Sequence, residues 1–337
     1  MRKKIARVAY FLFFLFGIAA IYFLGKEFGW QNIWNLIKNI ALFDLGIILF
    51  LPLIWIFFHS LGWHFLLDKR QNFTFFHMLG AQISSMAISE LPMGQAGGEP
   101  YRIYYLRKHF GTQESPNIIA SVILYNTIHS LVTGALFVTG FLAILFLIRV
   151  NPYKIALVIT ALFIGGITVL VFIQKQKKGI MGKIFDLLEK ISFLRKFAHR
   201  KREKALQVDE RLVNFYIQHR AHFFISFFFI LIAKAMGAVE FYLIMGFIGY
   251  PVTFMIAFIV FAGSAVVQLL LFFLPLGPTE GAIIFLFKAL GQNPAAATAL
   301  ALFRRVRVIF WTLIGFVIAH FWGPKPGKTM SHENDIL

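Results

Sequence analysis

Residues 91–102, LPMGQAGGEPYR, interrupt an otherwise very apolar chain with two prolines and three glycines. A similar break, LPLGPTEG, begins 183 positions later and occupies residues 274–281. Both begin Leu-Pro-x-Gly at the end of an apolar run, and each is followed by a glutamate, Glu99 in the first and Glu280 in the second. Because proline and glycine end or bend helices, the two breaks predict discontinuous helices at corresponding places in two halves of the chain.

The overall composition is that of an integral membrane protein. Of the 337 residues, 59% are hydrophobic and 42 are phenylalanine, and the mean hydropathy is +0.74. Globular domains average roughly 45–50% apolar residues. We therefore interpret residues 1–337 as a single all-α transmembrane domain. The chain contains no cysteine, which excludes disulfides, thiolate metal sites and cysteine nucleophiles.

Six apolar stretches are long enough to cross a bilayer, which takes roughly 17–25 residues. They are residues 8–24, 41–67, 116–150, 153–173, 221–248 and 294–322. The first stretch is longer than the apolar region of a signal peptide and lacks a small-residue cleavage site, so we interpret it as an uncleaved span. The stretch 116–150 has no Pro/Gly break, which favours one tilted helix over two.

Two further pairs of apolar segments predict re-entrant helical hairpins, formed by residues 77–91 with 99–110 and by residues 252–273 with 280–290. The segment 77–91 is too short to span, whereas 252–273 is long enough, so the sequence leaves open whether the latter crosses or re-enters. Glycines in the turns let a ligand approach the backbone closely or simply form the turn. The turn residues are Pro92, Gly94, Gly97 and Gly98 in the first hairpin and Pro275, Gly277 and Pro278 in the second.

The charge distribution indicates the topology. The chain has 33 Lys and Arg against 15 Asp and Glu, a formal net charge of +18. Many of these cations lie in residues 174–220, which we interpret as a basic amphipathic linker on the cytoplasmic membrane surface. With both termini cytoplasmic, nearly all cations outside the spans fall on the inside, as the positive-inside rule requires. The membrane, and not a nucleic acid, is the expected partner, and residues 323–337 are expected to be a disordered tail.

In this topology the two hairpins enter from opposite sides of the cell membrane. Residues 41–150 then form one half, span–hairpin–span, and residues 221–322 repeat it upside down. Span starts are separated by 180 positions, and Pro116 lies 178 positions before Pro294. An inverted-topology repeat with broken helices is a common plan for transporters, with the substrate site at the repeat interface.

Charged residues inside predicted spans are the strongest indication of a functional site in this sequence. Arg304, Arg305 and Arg307 lie ten to thirteen residues into the last span, which is about 15–20 Å deep. Each costs roughly 2.5–3.5 kcal/mol at the bilayer centre, so exposure to lipid is excluded. They either bind an anion in a wet cavity or form ion pairs with Glu280, Glu99 or Glu240.

Glu99 and Arg102 are predicted at the start of the second arm of the first hairpin, and Glu280 at the equivalent place in the second. Arg102 is suited to a two-pronged contact with a phosphate. Glu99 either belongs to the same site or caps its helix. The chain lacks H-E-x-x-H, G-x-S-x-G and Walker motifs, so we expect no catalytic residue, metal or cofactor.

These motifs resemble the membrane region of the lysylphosphatidylglycerol synthetase/flippase family, over about residues 5–322. The first break matches the Gly-Glu-x-x-Arg motif of that family with Glu99 and Arg102, and Glu280 matches the glutamate after its second loop. The chain has Gly277-Pro278-Thr279 where the family has a Gly-Gly pair, and Tyr125-Asn126-Thr127 where it has an acidic-basic motif. The resemblance implies a stand-alone member without the soluble aminoacyl-transferase domain.

The resemblance and the residues together predict a flippase that moves an anionic phospholipid or a polyprenyl-linked lipid between leaflets. The expected substrate-binding residues are Glu99, Arg102, Glu280, Arg304, Arg305 and Arg307. Two alternatives stay open at this point. One is an intramembrane transferase acting on a phospholipid headgroup, and the other is a non-catalytic membrane partner of a lipid- or glycan-modifying enzyme. The sequence leaves open whether the chain forms a homo-oligomer.

Overall fold

A computed structural model describes residues 40–67, 74–90, 95–147, 152–191, 194–271 and 277–322, with a few positions between 31 and 38. Several predictions fall outside these residues: the first span at 8–24, the disordered tail at 323–337, and the turn residues Pro92, Gly94 and Pro275.

The described residues are almost entirely helical and contain no strand, which confirms the all-α class. In chain order the helices are α1 (Leu42–Phe50), α2 (Pro52–His64), α3 (Phe75–Ser89), α4 (Gln95–Phe110), α5 (Ser115–Leu147), α6 (Pro152–Gln176), α7 (Met181–Glu189), α8 (Arg195–Gln218), α9 (Arg220–Phe247), α10 (Phe254–Leu270), α11 (Pro278–Ala289) and α12 (Pro294–Phe321).

Three of these segments are long and apolar enough to cross a membrane: Leu42–His64, Ser115–Leu145 and Arg220–Phe247. The segment 115–145 lies within one unbroken helix, α5, as predicted. The predicted span 41–67 is interrupted between α1 and α2 at Leu51. Pro52 causes this interruption, because it has no N–H to donate to the preceding turn. Helix α12 has 28 residues, but the three arginines near its middle distinguish it from the purely apolar spans.

The two predicted hairpins correspond to α3 with α4 and α10 with α11, and the two helices of each pair pack against each other. Helices α3, α4, α10 and α11 have 15, 16, 17 and 12 residues. At about 1.5 Å per residue they measure roughly 18–26 Å, less than the roughly 30 Å of hydrocarbon in a bilayer. Helix α10 is shorter than the predicted segment 252–273 because it begins at Phe254 and ends at Leu270.

Each hairpin packs against the last long helix of the other half. Helix α3 lies against α12, and α10 lies against α5, while α2 and α9 pack against each other. The largest cluster of buried side chains, which includes Trp63, Leu106 and Ile128, holds α2, α4 and α5 together. A second cluster, which includes Phe241, Ile283 and Leu300, holds α9, α11 and α12 together. The hairpins are therefore interior elements of the bundle.

The basic linker forms two helices, α7 and α8, that pack against each other. Helix α8 also packs against α5 through Leu212 and Phe215, which are buried in the first cluster. Ile184 and Leu187 of α7 are exposed, as is Ile191 just beyond the end of that helix. An exposed apolar stripe beside lysines is typical of a helix lying in the membrane interface, and the amphipathic linker on the membrane surface stays a prediction.

Asp209 of α8 fixes the start of α7. Its Oδ1 accepts the backbone N–H groups of Ile180 at 2.9 Å and Met181 at 2.8 Å, and its Oδ2 accepts that of Gly182 at 2.7 Å. The first N–H groups of a helix have no partner within the helix. A buried carboxylate from a neighbouring helix therefore supplies the cap that the local sequence lacks.

Replacing Asp209 with alanine should loosen α7 and reduce the free energy of unfolding by about 1–2 kcal/mol, as for loss of an N-cap. Hydrogen–deuterium exchange at residues 180–182 in detergent-purified protein should become faster. Asp186→Ala is the control, because the pair of Asp186 with Arg202 is largely exposed and such pairs contribute little. Equal exchange at residues 180–182 in the two variants would contradict this role.

Candidate functional site

Arg102 of α4 lies between two aromatic rings inside the bundle. The residue is only 4% exposed. Its guanidinium carbon is 4.9 Å from the ring centre of Trp63 on α2 and 4.7 Å from that of Tyr125 on α5. Cations are attracted to the faces of aromatic rings, more strongly when water is excluded. Tyr125 thus helps to hold Arg102. It lies at the position where the family described above has its acidic-basic motif.

Polar groups around Arg102 leave its charge only partly compensated. Its NH1 donates to Glu99 Oε2 at 3.3 Å, and its NH2 donates to Ser85 Oγ on α3 at 3.4 Å, both long hydrogen bonds. Its Nε is buried and has no acceptor. The charge on Arg102 is therefore available to a further anion.

Helix α4 begins at Gln95, four residues before Glu99, so the structure does not support the alternative in which Glu99 caps its helix. Gly98, one residue before Glu99, lies against α3: a Cβ placed there would be 1.9 Å from Ser89 Oγ and 2.9 Å from the carbonyl oxygen of Ser85. Gly98 thus permits close packing of the two hairpin arms. For Gly97, a Cβ would make only an ordinary contact with Ile88.

Arg305 of α12 is part of an ion-pair cluster at the tips of both hairpins. Its NH2 donates to Glu280 Oε1 of α11, and its NH1 is 3.9 Å from Glu90 Oε2 at the end of α3. Glu280 Oε2 also accepts the backbone N–H of Gly277 at 3.0 Å. Gly277 has φ +98°, a conformation that favours glycine, and Pro278 follows as the first residue of α11. Arg305 therefore joins the two hairpins electrostatically.

Arg307 forms a second, deeply buried ion pair. Its NH1 donates to Glu240 Oε2 of α9, and the exposed fractions of the two residues are 8% and 2%. The sequence left two possibilities for the α12 arginines, binding of an anion or ion pairing with glutamates. Arg305 and Arg307 form ion pairs. These ion pairs connect α12 to neighbouring helices inside the bundle.

Arg304 differs from its two neighbours. Its guanidinium carbon lies 4.9 Å from the ring centre of Phe241, and its Nε is buried without an acceptor. Within the residues that the structure describes, Arg304 forms no ion pair. Lys234 of α9 likewise has no ion pair among the described residues, although it lies within electrostatic range of His59 and His129. The interior therefore holds cations in excess of its carboxylates.

Sequence reasoning placed Glu99, Arg102, Glu280 and the three α12 arginines in the site, and the structure groups them in two places. Arg102 with Glu99 lies between α2, α4 and α5, whereas Glu280 and the arginines lie between α9, α11 and α12. Sequence reasoning missed Glu90 as a member of the site. Its position directly before the break that begins at residue 91 could have identified it. No cluster of three His, Asp or Glu side chains suited to a metal occurs within the described ranges.

The family model for the lysylphosphatidylglycerol synthase transmembrane region matches residues 8–315 of this chain. The chain belongs to that family. Comparison with curated proteins and with solved structures found no match. The family match covers both hairpins, both groups of buried charges and the linker. Together with the apolar helices, it identifies a multi-pass membrane protein with a lipid-related function.

Removing one partner of the Arg307–Glu240 pair should be more damaging than removing both. Arg307→Leu leaves a carboxylate buried and unpaired, and Glu240→Leu leaves a guanidinium in the same state, each costing about 3–5 kcal/mol. The double variant leaves no uncompensated charge and should recover most of that loss. Thermal unfolding of the three variants in detergent measures this double-mutant cycle. Additive losses in the double variant would show that the two side chains do not interact.

Proposed function

We propose that this member of the lysylphosphatidylglycerol synthase transmembrane family is a flippase that moves an anionic phospholipid or polyprenyl-linked lipid between the leaflets of the cell membrane. The observation that carries the proposal is the excess of interior cations, above all the half-buried Arg304, in a family tied to membrane lipids. A buried charge without a counter-ion is costly. A lipid phosphate is a counter-ion that a membrane always contains.

In this proposal Arg102 and Arg304 bind the phosphate, and the acyl chains stay in the bilayer. Arg102 is positioned by two aromatic rings, and Arg304 by one. Arg305, Arg307 and Glu280 keep the helices around the site in register through their ion pairs. Glu99 competes with the substrate for Arg102 and holds it in the empty site.

The packing of the helices supports the inverted repeat of residues 41–150 and 221–322 that the proposal uses. The contact of α3 with α12 has its counterpart in the contact of α10 with α5, and α2 pairs with α9. A two-fold axis in the membrane plane produces such reciprocal contacts. We infer that the two short helical pairs are re-entrant hairpins acting as opposing gates.

Buried polar contacts occur at equivalent positions in the two halves. In the first half, His59 of α2 contacts Tyr125, and its ring lies 5.7 Å from that of His129 on α5. In the second half, Glu240 of α9 pairs with Arg307 of α12. His59 and Glu240 are 181 positions apart, and His129 and Arg307 are 178 apart. These offsets agree with those of the Leu-Pro breaks and of the helix starts.

A headgroup transferase is less well supported than transport. Such an enzyme needs a free carboxylate as general base, within reach of the group it deprotonates. Glu99 instead pairs with Arg102, and Glu280 is held by Arg305 and by the N–H of Gly277. Each of the two carboxylates therefore already has an arginine partner.

Arg304→Ala should abolish retention of an anionic lipid while leaving the fold intact, because Arg304 forms no ion pair with any described carboxylate. Native mass spectrometry of protein extracted gently with its lipids measures retention. Lys288→Ala, which removes an exposed cation of α11, is the matched control and should retain lipid like the wild type. Equal lipid profiles in all three proteins, or a covalently altered lipid, would argue against this function.

The inverted repeat predicts that equivalent residues face opposite sides of the membrane. Lys108 near the end of α4 and Ala289 at the end of α11 are 181 positions apart, and both are exposed. The chain has no cysteine, so Lys108→Cys and Ala289→Cys each carry one unique thiol. A membrane-impermeant maleimide added to intact cells should label Ala289→Cys and not Lys108→Cys. Labelling of both from the same side would rule out the inverted arrangement.

A further inference from the structure

A cavity with a volume of about 390 Å³ lies where the linker meets the ends of three long apolar segments. Leu66 and Leu67 line it just beyond the end of α2, and Asn117, Ala120 and Leu124 line it from the first turns of α5. The rest of the lining comes from the end of α8 and the start of α9. Binding sites for small ligands measure about 300–1,000 Å³, so the cavity has room for a lipid headgroup.

The three segments indicate the depth of this cavity in the membrane. Leu42–His64 ends beside it, whereas Ser115–Leu145 and Arg220–Phe247 begin beside it. The ends of membrane-crossing helices lie at the level of the lipid headgroups, because the hydrocarbon layer is about 30 Å thick and the whole bilayer about 40–45 Å. The cavity therefore lies at the level of the headgroups of one leaflet, on the side of the bundle that carries the linker.

The part of the lining that α8 contributes is polar. Arg211, Asn214 and Gln218 are spaced three and four residues apart, so they share one face of that helix, and Glu210 adds a carboxylate beside them. The side-chain amides of Asn214 and Gln218 form no hydrogen bond with any other residue that the structure describes. An amide side chain both donates and accepts hydrogen bonds. These groups are therefore available to a ligand that bears hydroxyls.

The start of α9 gives the cavity a place for an anion. His219 and His222 line it with stacked rings whose centres are 5.2 Å apart. His219 is the N-cap residue of α9, and its side chain makes no capping hydrogen bond within the described part of the chain. The first N–H groups of a helix have no partner inside the helix and attract anions. Together with the guanidinium of Arg211, they favour the phosphate of a headgroup.

The cavity adjoins the proposed phosphate site along the same two helices. Leu67 follows Trp63 by four residues, and Leu124 directly precedes Tyr125. The rings of Trp63 and Tyr125 hold Arg102. Since four residues make about one helical turn, α2 and α5 line the cavity and hold Arg102 about one turn farther into the bundle.

We propose that this cavity binds the lipid headgroup before the phosphate reaches Arg102, and that it favours headgroups with hydroxyls beyond the phosphate. This inference rests on the proposed function and adds the class of substrate and the side on which it is loaded. The shared chemistry is a phosphodiester that bears hydroxyls. It occurs in a glycerol headgroup and equally in a sugar linked to a polyprenyl phosphate.

Glu210 distinguishes a hydroxylated headgroup from a bare phosphate. Its carboxylate repels additional negative charge, which disfavours a phosphomonoester relative to a phosphodiester with a single charge. The same carboxylate accepts a hydrogen bond from a hydroxyl, while the amides of Asn214 and Gln218 donate to hydroxyls or accept from them. A phosphodiester with one charge and several hydroxyls therefore matches both the anion-binding and the amide-lined parts of the cavity.

Because the chain has no cysteine, one engineered thiol reports whether the cavity is occupied. Gln218→Cys places the thiol in the lining, and Gln207→Cys, on α8 outside the cavity, is the matched control, since both positions are exposed. In phosphatidylcholine nanodiscs, a water-soluble maleimide should label Gln218→Cys more slowly once phosphatidylglycerol is added. Phosphatidylethanol has the same single charge and no hydroxyl, so its protection should be roughly two- to tenfold weaker, the contribution of one hydrogen bond. Labelling of Gln207→Cys should not change.

Two further comparisons complete the test. A polyprenyl phosphate carrying one hexose, compared with the bare polyprenyl phosphate, examines the second source of hydroxyls, and the lipid pair with the larger difference in protection identifies the source. Asn214→Ala in the Gln218→Cys protein should reduce the difference between phosphatidylglycerol and phosphatidylethanol. Alanine favours the helix, so this variant should fold, but its side chain forms no hydrogen bond with a hydroxyl.

The labelling and a transport assay separate this inference from the proposed function. Unchanged labelling of Gln218→Cys with every lipid would overturn the binding site. Equal protection within both lipid pairs would overturn the preference for hydroxyls. Transport is measured with the wild type in phosphatidylcholine vesicles that contain a fluorescent phosphatidylglycerol. If the cavity is protected but the probe does not cross the bilayer, the proposed function fails, and with it the role of the cavity in loading.

Discussion

The buried ion pair between Arg307 and Glu240 is the constraint on which the rest of the bundle depends. An arginine near the middle of an apolar helix cannot face lipid, because its charge has no compensation there. Helix α12 therefore has to lie against α9, where Glu240 provides the counter-charge. This contact fixes the orientation of α12 about its axis. The same orientation brings Arg305 to the tips of both hairpins and Arg304 to the face of Phe241.

The hairpins interlock the two halves around this pair. Because α3 packs against α12 and α10 packs against α5, neither half can complete its own core alone. The shared ion pairs of Arg305 with Glu280 and Glu90 connect the hairpin tips across that interface. A displacement of one hairpin consequently alters the contacts of the other.

Aromatic rings and carboxylates have different effects on the charges of the interior cations. The carboxylates neutralise Arg305 and Arg307, so those residues tie helices together and contribute little net field. The rings of Trp63, Tyr125 and Phe241 hold Arg102 and Arg304 in place without neutralising them, and Arg102 has only a long contact with Glu99 besides. An oriented cation in a dry, aromatic setting favours an anionic ligand. In the first half the Tyr125 ring that holds Arg102 also contacts His59 through its hydroxyl.

The amino-acid sequence was sufficient for the class of the protein, the positions of most helices and the two breaks, because these depend on local composition, on proline and glycine, and on the length of apolar runs. It also singled out the α12 arginines, since a charge in an apolar run is costly wherever the run packs. The sequence left the pairing of those arginines open, because partners such as Arg307 and Glu240 are 67 positions apart and meet only when α9 and α12 pack. The start of α4 at Gln95, the cap provided by Asp209, and the separation of Arg304 from its paired neighbours likewise follow from contacts between helices. Local sequence has no means of specifying them, since each depends on which face of one helix meets which face of another.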